Sequence, residues 1–141
     1  MSDPFDLQRF VSAQDESYAQ ALDEIRRGRK QSHWMWFVFP QIEGLGSSPT
    51  ARHYAIRSRG EAKAYLAHPV LGPRLREITK VAAALTQGSA RSVFGTPDDM
   101  KLRSSLTLFR EVAEGEDRDL FTQALNRFFD AKADEETLRR L

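Results

Sequence analysis

Residues 34–39 read Trp-Met-Trp-Phe-Val-Phe, six consecutive apolar side chains flanked by Ser32-His33 and Pro40-Gln41. Such a run has to be buried, either as a strand or as a helix. A buried strand needs a neighbour to pair its N–H and C=O groups, and no second strand-like run exists in the sequence. Nowhere do apolar and polar residues alternate cleanly over β-favouring positions. The choice of apolar residues agrees. Ala and Leu total 30 against 10 for Val and Ile, and β-branched side chains lose rotamer freedom in a helix that small or unbranched ones keep. The expectation is an all-α, compact, multihelical single-domain bundle over residues 1–141, built around a short buried Trp/Phe-rich helix. Ser32 is its expected N-cap and Pro40 its stop, with Trp34, Phe37 and Phe39 nearly fully buried. With 141 residues and 14 aromatic side chains, the chain can bury roughly 68–70% of its unfolded surface without outside help.

The remaining helices are marked by their ends. Asp3-Pro4 reads as a cap followed by proline at the first helical position, ahead of Leu7, Phe10 and Val11 on one face. Tyr18, Ala21, Leu22 and Ile25 keep the helical spacing up to Gly28, which suits a left-handed C-terminal residue. Ser48-Pro49 opens a short helix carrying Tyr54 and Ala55, and Ser58 with Glu61 forms a capping box for a helix that stops before Pro69. Leu71, Leu75, Ile78, Ala82 and Leu85 make the longest seam, ended by Gly88. Thr96-Pro97-Asp98-Asp99 supplies a cap, a proline and two acids for a helix whose buried face is Leu102, Leu106, Phe109 and Ala113. Phe121, Ala124, Leu125 and Phe128 form the next stripe, and Asp134 caps a last turn or two.

Several function classes drop away. Cysteine is absent, which removes disulfides, thiol catalysis and cysteine-based metal centres. A reducing, cytoplasmic location is the expectation. No apolar run is long enough for a membrane span, and the N-terminus has no basic-then-apolar leader. The three histidines, His33, His53 and His68, have no metal-ligand spacing, so no metal is expected. No cofactor motif is present either: Walker loops, G-x-G-x-x-G and G-x-S-x-G are all missing.

The residues also carry a family signature. Ser32-His33-Trp34-Met35-Trp36-Phe37-Val38-Phe39-Pro40-Gln41 is followed by Gly44-Leu45-Gly46 and Tyr54-Ala55-Ile56. Glu61-Ala62, Tyr65-Leu66, His68-Pro69-Val70-Leu71 and Arg74-Leu75 come next, then Phe94-Gly95, Asp98, Lys101-Leu102 and Thr107-Leu108-Phe109. Over nearly its whole length the chain resembles the uncharacterised bacterial family called domain of unknown function 1810. The resemblance implies a compact multihelical protein and supplies no activity. Some members carry the label calpastatin, but that inhibitor is a disordered repeat chain, whereas this sequence encodes a packed core.

Candidate site residues follow from charge and from glycine. Residues 1–25 carry a net charge of −5, residues 26–80 a net +8 and residues 111–136 a net −6, within a total of +1. The basic middle holds Arg26, Arg27, Arg29, Lys30 and Arg52 around the segment Gly44-Leu45-Gly46-Ser47-Ser48-Pro49. A glycine-loosened loop running into a helix start can offer N–H groups and the Ser47 and Ser48 hydroxyls to an anion, and arginine suits phosphate or carboxylate. The bland readings are an ordinary turn with Ser48 as cap, and self-compensating charged faces. His33 is the acid–base candidate if it faces a cavity. The two tryptophans read as core because they sit inside an apolar run. Ser104, Ser105 and Thr107 face either a pocket or a close helix contact, and Lys101, if burial shifts it, is a candidate base.

Two functions stay in view. One is a small-molecule-binding domain, enzyme or not, for an anionic or nucleotide-like metabolite, with Lys30, His33, Gly44, Gly46, Ser47, Ser48 and Arg52 at its site. The other is a non-catalytic protein–protein interaction module using the amphipathic C-terminal helices. Nucleic acid ranks low, since the bases are not interleaved with aromatics.

Overall fold

Asp3 accepts hydrogen bonds from the Leu7 and Gln8 N–H groups, at 2.8 and 3.0 Å. It thereby starts the first helix, α1 (Gln8–Arg26), of the computed structural model, which describes residues 3–141. The cap reaches further than its sequence position suggests. Asp6 takes a left-handed conformation (φ 52°), so Pro4 lies in a turn instead of at the first helical position. α1 buries Phe10, Ala21, Leu22 and Ile25 and ends before Gly28, which has φ 76°.

Behind α1 the chain wraps around one buried carboxylate. Glu24 accepts hydrogen bonds from the N–H groups of Gln31 and Ser32, the Ser32 hydroxyl and the Trp34 indole N–H. This ties Ser32 to α1, so it does not cap the next helix as expected. That helix, α2 (Met35–Val38), begins at Trp34 without a side-chain cap and is a single turn. Burial within the apolar run is uneven. Trp34, Met35, Val38 and Phe39 are buried, whereas Trp36 and Phe37 are half-buried. Phe37 is therefore less enclosed than expected, with its ring beside Tyr54 at 5.3 Å.

Ser48 caps α3 (Pro49–His53) by accepting from the Ala51 N–H. An isolated bridge between Ile42 and Ile56 closes the intervening segment. Its bonds, Glu43 N–H to the Ile56 carbonyl and Ile56 N–H to the Gln41 carbonyl, are both 2.8 Å. Among the described residues the structure has no strand beyond this bridge. Ser58 caps α4 (Arg59–Ala67) through the Glu61 N–H, but only half of the expected capping box forms. The Glu61 carboxylate instead accepts from the Arg57 N–H and pairs with Arg9 of α1 at 2.6 Å, both side chains buried. A long-range ion pair has claimed the acid that the local pattern assigned to a cap.

The expected long seam is α5 (Leu71–Ala83), which stops short of Leu85 and Gly88. A helix the sequence pattern missed, α6 (Ala90–Phe94), is closed at its start by a reciprocal Ser89–Ser92 capping box. α7 (Asp98–Val112) has Pro97 at its N-cap position and no side-chain cap. The Thr96 hydroxyl, the expected cap, donates to the Asp99 carboxylate instead. α8 (Gly115–Phe129) and α9 (Glu135–Arg140) complete the chain, the last capped by Asp134 through the Thr137 N–H.

α7 is the axis, packed against α2, α4, α6, α8 and α9, while α5 bridges α1, α4 and α8. One hydrophobic core runs from Leu7 to Leu125. Two chains of aromatic rings pass through it. Phe10, Tyr65, Phe109 and Phe121 link α1, α4, α7 and α8 at centroid distances of 5.2, 5.2 and 6.0 Å. Trp34, Phe39, Phe94 and Phe128 link the apolar run to α6 and α8 at 6.3, 6.0 and 5.9 Å. Tilted and edge-on rings at these separations add to area burial. Phe128 is thus half-buried against this core.

Candidate functional site

Ser104 and Thr107 are weak helix formers, and the structure uses both to hold α9. The Thr107 hydroxyl donates to the Arg103 carbonyl and accepts from the Asp134 N–H. The Ser104 hydroxyl lies 3.1 Å from the Met100 carbonyl and 3.2 Å from the Asp134 carboxylate. Arg103 donates to the Lys132 and Ala133 carbonyls. Asp130 and Ala131 turn the chain back at positive φ, 52° and 67°. Ser105, by contrast, is fully buried and faces no cleft.

Held this way, α9 forms one side of a cleft of about 700 Å3. The start of α7, the segment from Leu45 to Ser48, α2 and the end of α8 supply the rest. Its apolar walls are Trp36, Leu45, Met100 and Phe129. Met100 is 66% exposed, far more than a core methionine. Ser47, Ser48, Lys101, Ser104 and Glu136 supply polar groups. A concavity of this size with mostly apolar walls and a few polar groups is the usual form of a small-molecule site. The trough of about 560 Å3 between α5 and α8 is different. Its lining contains no aromatic ring, and its Arg127 is already bound to the Leu85, Gln87 and Gly88 carbonyls.

The electrostatics of the cleft turn on Asp98. Lys30 pairs with it at 2.7 Å and Lys101 at 3.3 Å. Two ammonium groups share this one carboxylate, and Lys101, at the longer distance, is the member that lines the cleft, together with Asp99 and Asp134, whose charges meet only neutral donors. The Lys101 Nζ also lies over the Trp36 ring, 4.3 Å from its centroid. The other charged groups of the lining are engaged. Asp99 accepts from Thr96 and the Met100 N–H, Glu136 pairs with Arg139, Asp134 caps α9, and Arg103 holds carbonyls.

Glu24 lies behind this wall. Burial pushes its pKa up, but its hydrogen bonds from Ser32, Gln31 and Trp34 outweigh that and hold the carboxyl down at about 2. It stays ionised without a cation and anchors the run that carries Trp36.

The residues singled out in the sequence scatter. Gly46, Ser47 and Ser48 line the cleft, with Ser48 also acting as the α3 cap. Gly44 and Arg52 line an adjoining crevice of only about 20 Å3, and Arg52 is exposed. Lys30 is outside the cleft, its side chain 6% exposed and committed to Asp98 and the Ser32 carbonyl. His33 is exposed and precedes α2 instead of sitting in its first turn. Arg26 and Arg27 border a separate hollow beside Gly28 and Gly88. Arg26 and Arg27 therefore do not converge on the glycine loop with Arg52, because α1 ends on the side facing residues 85–88.

Trp36, Met100 and Phe129 are the wall residues that the pattern missed. Met100 alone had a visible signal, an apolar residue between Asp99 and Lys101 in a charged first turn. The cation that approaches Gly44 comes from α9. A Cβ added at Gly44 would lie 2.3 Å from an Arg140 guanidinium nitrogen. Among the described residues no group of three or more His, Asp or Glu side chains is placed to hold a metal ion, and no helix is long and apolar enough to cross a membrane.

The family model described as "Protein of unknown function (DUF1810)" matches residues 4–141. A crystal structure of a conserved hypothetical protein from Mycobacterium tuberculosis is 47% identical to the chain. The match covers 99% of this chain and 98% of that one, with a TM-score of 0.95. No curated protein matches the chain.

Proposed function

The chain belongs to the family of unknown function DUF1810, which supplies no activity to inherit, and we propose from the cleft itself that the protein binds a small anionic metabolite there. One observation carries the reading. Lys101 faces a largely apolar concavity with its charge only partly met, because Asp98 already pairs more closely with Lys30. In a site with apolar walls a charge is screened less than at an open surface. A ligand carboxylate or phosphate meeting Lys101 therefore gains more there than on the exposed Arg52. The Ser47 and Ser48 hydroxyls line the same cleft and supply donors for further oxygens. The site so proposed keeps Gly46, Ser47 and Ser48, gains Lys101, and leaves Lys30 in a supporting position. A cytoplasmic, metabolite-rich setting belongs to the same proposal.

Inorganic phosphate tests it. Phosphate should raise the melting temperature saturably above chloride at matched ionic strength, following RT ln(1 + [L]/Kd). The general exclusion effect of phosphate is non-saturable and acts on every variant. Lys101→Met should lose the saturable part, while Arg52→Ala and His33→Ala keep it. If Lys101→Met titrates like the parent chain, the proposal is wrong.

A further inference from the structure

We infer that the ligand of this cleft is a planar aromatic ring joined to an anionic group, with the ring stacked on Trp36; this rests on the anion reading above. Trp36 belongs to a run whose other tryptophan is 1% exposed, yet Trp36 itself is half-buried and lines the cleft. Its indole is absent from the aromatic chains that build the core, so packing does not account for it. Leu45, Met100 and Phe129 share its cleft, and a thioether beside a ring is a favourable flank for an aromatic guest. The Trp36 face is not bare. The Lys101 ammonium covers it at 4.3 Å and contacts Asp98 at 3.3 Å.

That contact defines both halves of the ligand. A cation over an indole face is attracted by the ring's quadrupole, and an anion offers the same cation a stronger partner. A ligand that brings an anionic group draws Lys101 toward it and uncovers the face of Trp36. A flat ring on the same ligand then restores the lost contact by stacking. An anion without a ring exposes the indole and gains only the ion pair. A ring without an anion has to displace the ammonium with nothing to receive it. The two groups thus act together, and a molecule carrying both outbinds either part.

Two chemical sources fit, a nucleoside phosphate and an aromatic carboxylate, and the experiment separates them. Adenosine 5′-monophosphate is compared with ribose 5-phosphate and adenosine, and indole-3-acetate with acetate, by calorimetric titration of the full chain. One of the two ring-bearing anions should bind about tenfold more tightly than its ringless counterpart, the order expected for one stacked base. It should also quench tryptophan emission saturably. Trp36→Leu, which keeps the wall apolar, should abolish both the quenching and the tenfold advantage, while ribose 5-phosphate or acetate, no longer competing with the indole for Lys101, should bind at least as tightly as to the parent chain. Equal binding of ringed and ringless anions would leave the anion site standing and overturn the stacking inference. Unchanged binding of the ring-bearing anion by Trp36→Leu would do the same. If no anion in either set binds, both readings fall.

Discussion

Trp34 and Trp36 are two residues apart and each lies under a lysine ammonium, at 5.1 Å from Lys30 and 4.3 Å from Lys101. Both lysines pair with the same carboxylate, Asp98. The two arrangements nevertheless have different physical consequences. At Trp34 every polar group has a fixed partner. The indole N–H is bound to Glu24, and the Lys30 ammonium to Asp98 and the Ser32 carbonyl. At Trp36 the lysine is 21% exposed, its carboxylate is more distant, and the ring borders open volume. Identical side-chain types become a structural clamp where burial closes the set of partners, and a replaceable contact where solvent leaves it open.

The largest test of this contrast is a pair of truncations. Trp34→Ala should destabilise the fold by about 3–5 kcal/mol, the usual cost of deleting a buried large aromatic. Trp36→Ala should cost about 1–2 kcal/mol less than that, because part of its ring borders the open cleft instead of the core. Denaturant midpoints at unchanged slope would measure both, and equal losses would dissolve the distinction.

Glu24→Gln comes next, at about 3 kcal/mol, since an amide cannot accept all the donors now aimed at the carboxylate. The pH dependence has a definite sign. The folded pKa of Glu24, about 2, lies below its ordinary value of 4.5. Its contribution is therefore complete above pH 4.5 and lost as the pH falls toward 2. Stability measured across that window should decline more steeply in the parent chain than in Glu24→Gln; parallel curves would mean that Glu24 is not the anchor.

The two lysines sharpen the comparison further. Lys30→Met should cost about 2 kcal/mol, less than a fully orphaned buried pair because Asp98 keeps Lys101. Lys101→Met should change stability by less than about 0.5 kcal/mol, as expected for a partly exposed pair. Thermal melts showing the reverse order would place the fixed contact at Trp36. Smallest in reach is Ser58→Ala, at about 1 kcal/mol for a lost N-cap. It should leave the phosphate response of the cleft untouched; a weakened phosphate titration would tie α4 to the site.

What was legible in the sequence is unequal across the chain for a physical reason. Caps at Ser48, Ser58 and Asp134 form as their spacing suggests because donor and acceptor lie within one turn. Ser32 and Thr96 looked equally credible, yet the first is tied to Glu24 and the second to Asp99. Gly46, Ser47 and Ser48 of the glycine loop line the cleft and Arg52 borders the adjoining crevice, but Arg26, Arg27 and Lys30, assigned to the same loop, point elsewhere. Charge counts give the sign of a segment and say nothing about which carboxylate each cation meets.

The sequence by itself determined an all-α chain, the helix starts at Ser48, Ser58 and Asp134, and the burial of Trp34 and Phe39. Those outcomes depend on near-neighbour hydrogen bonds and on the simple need to remove apolar surface from water. Only the tertiary structure decided that Trp36 faces a cleft, that Lys101 covers it, and that Lys30 and Lys101 divide one aspartate. Periodicity reports which side of an element turns inward, but the partner across the gap is set by how α2, α7 and α9 pack, and electrostatic pairing depends on that separation.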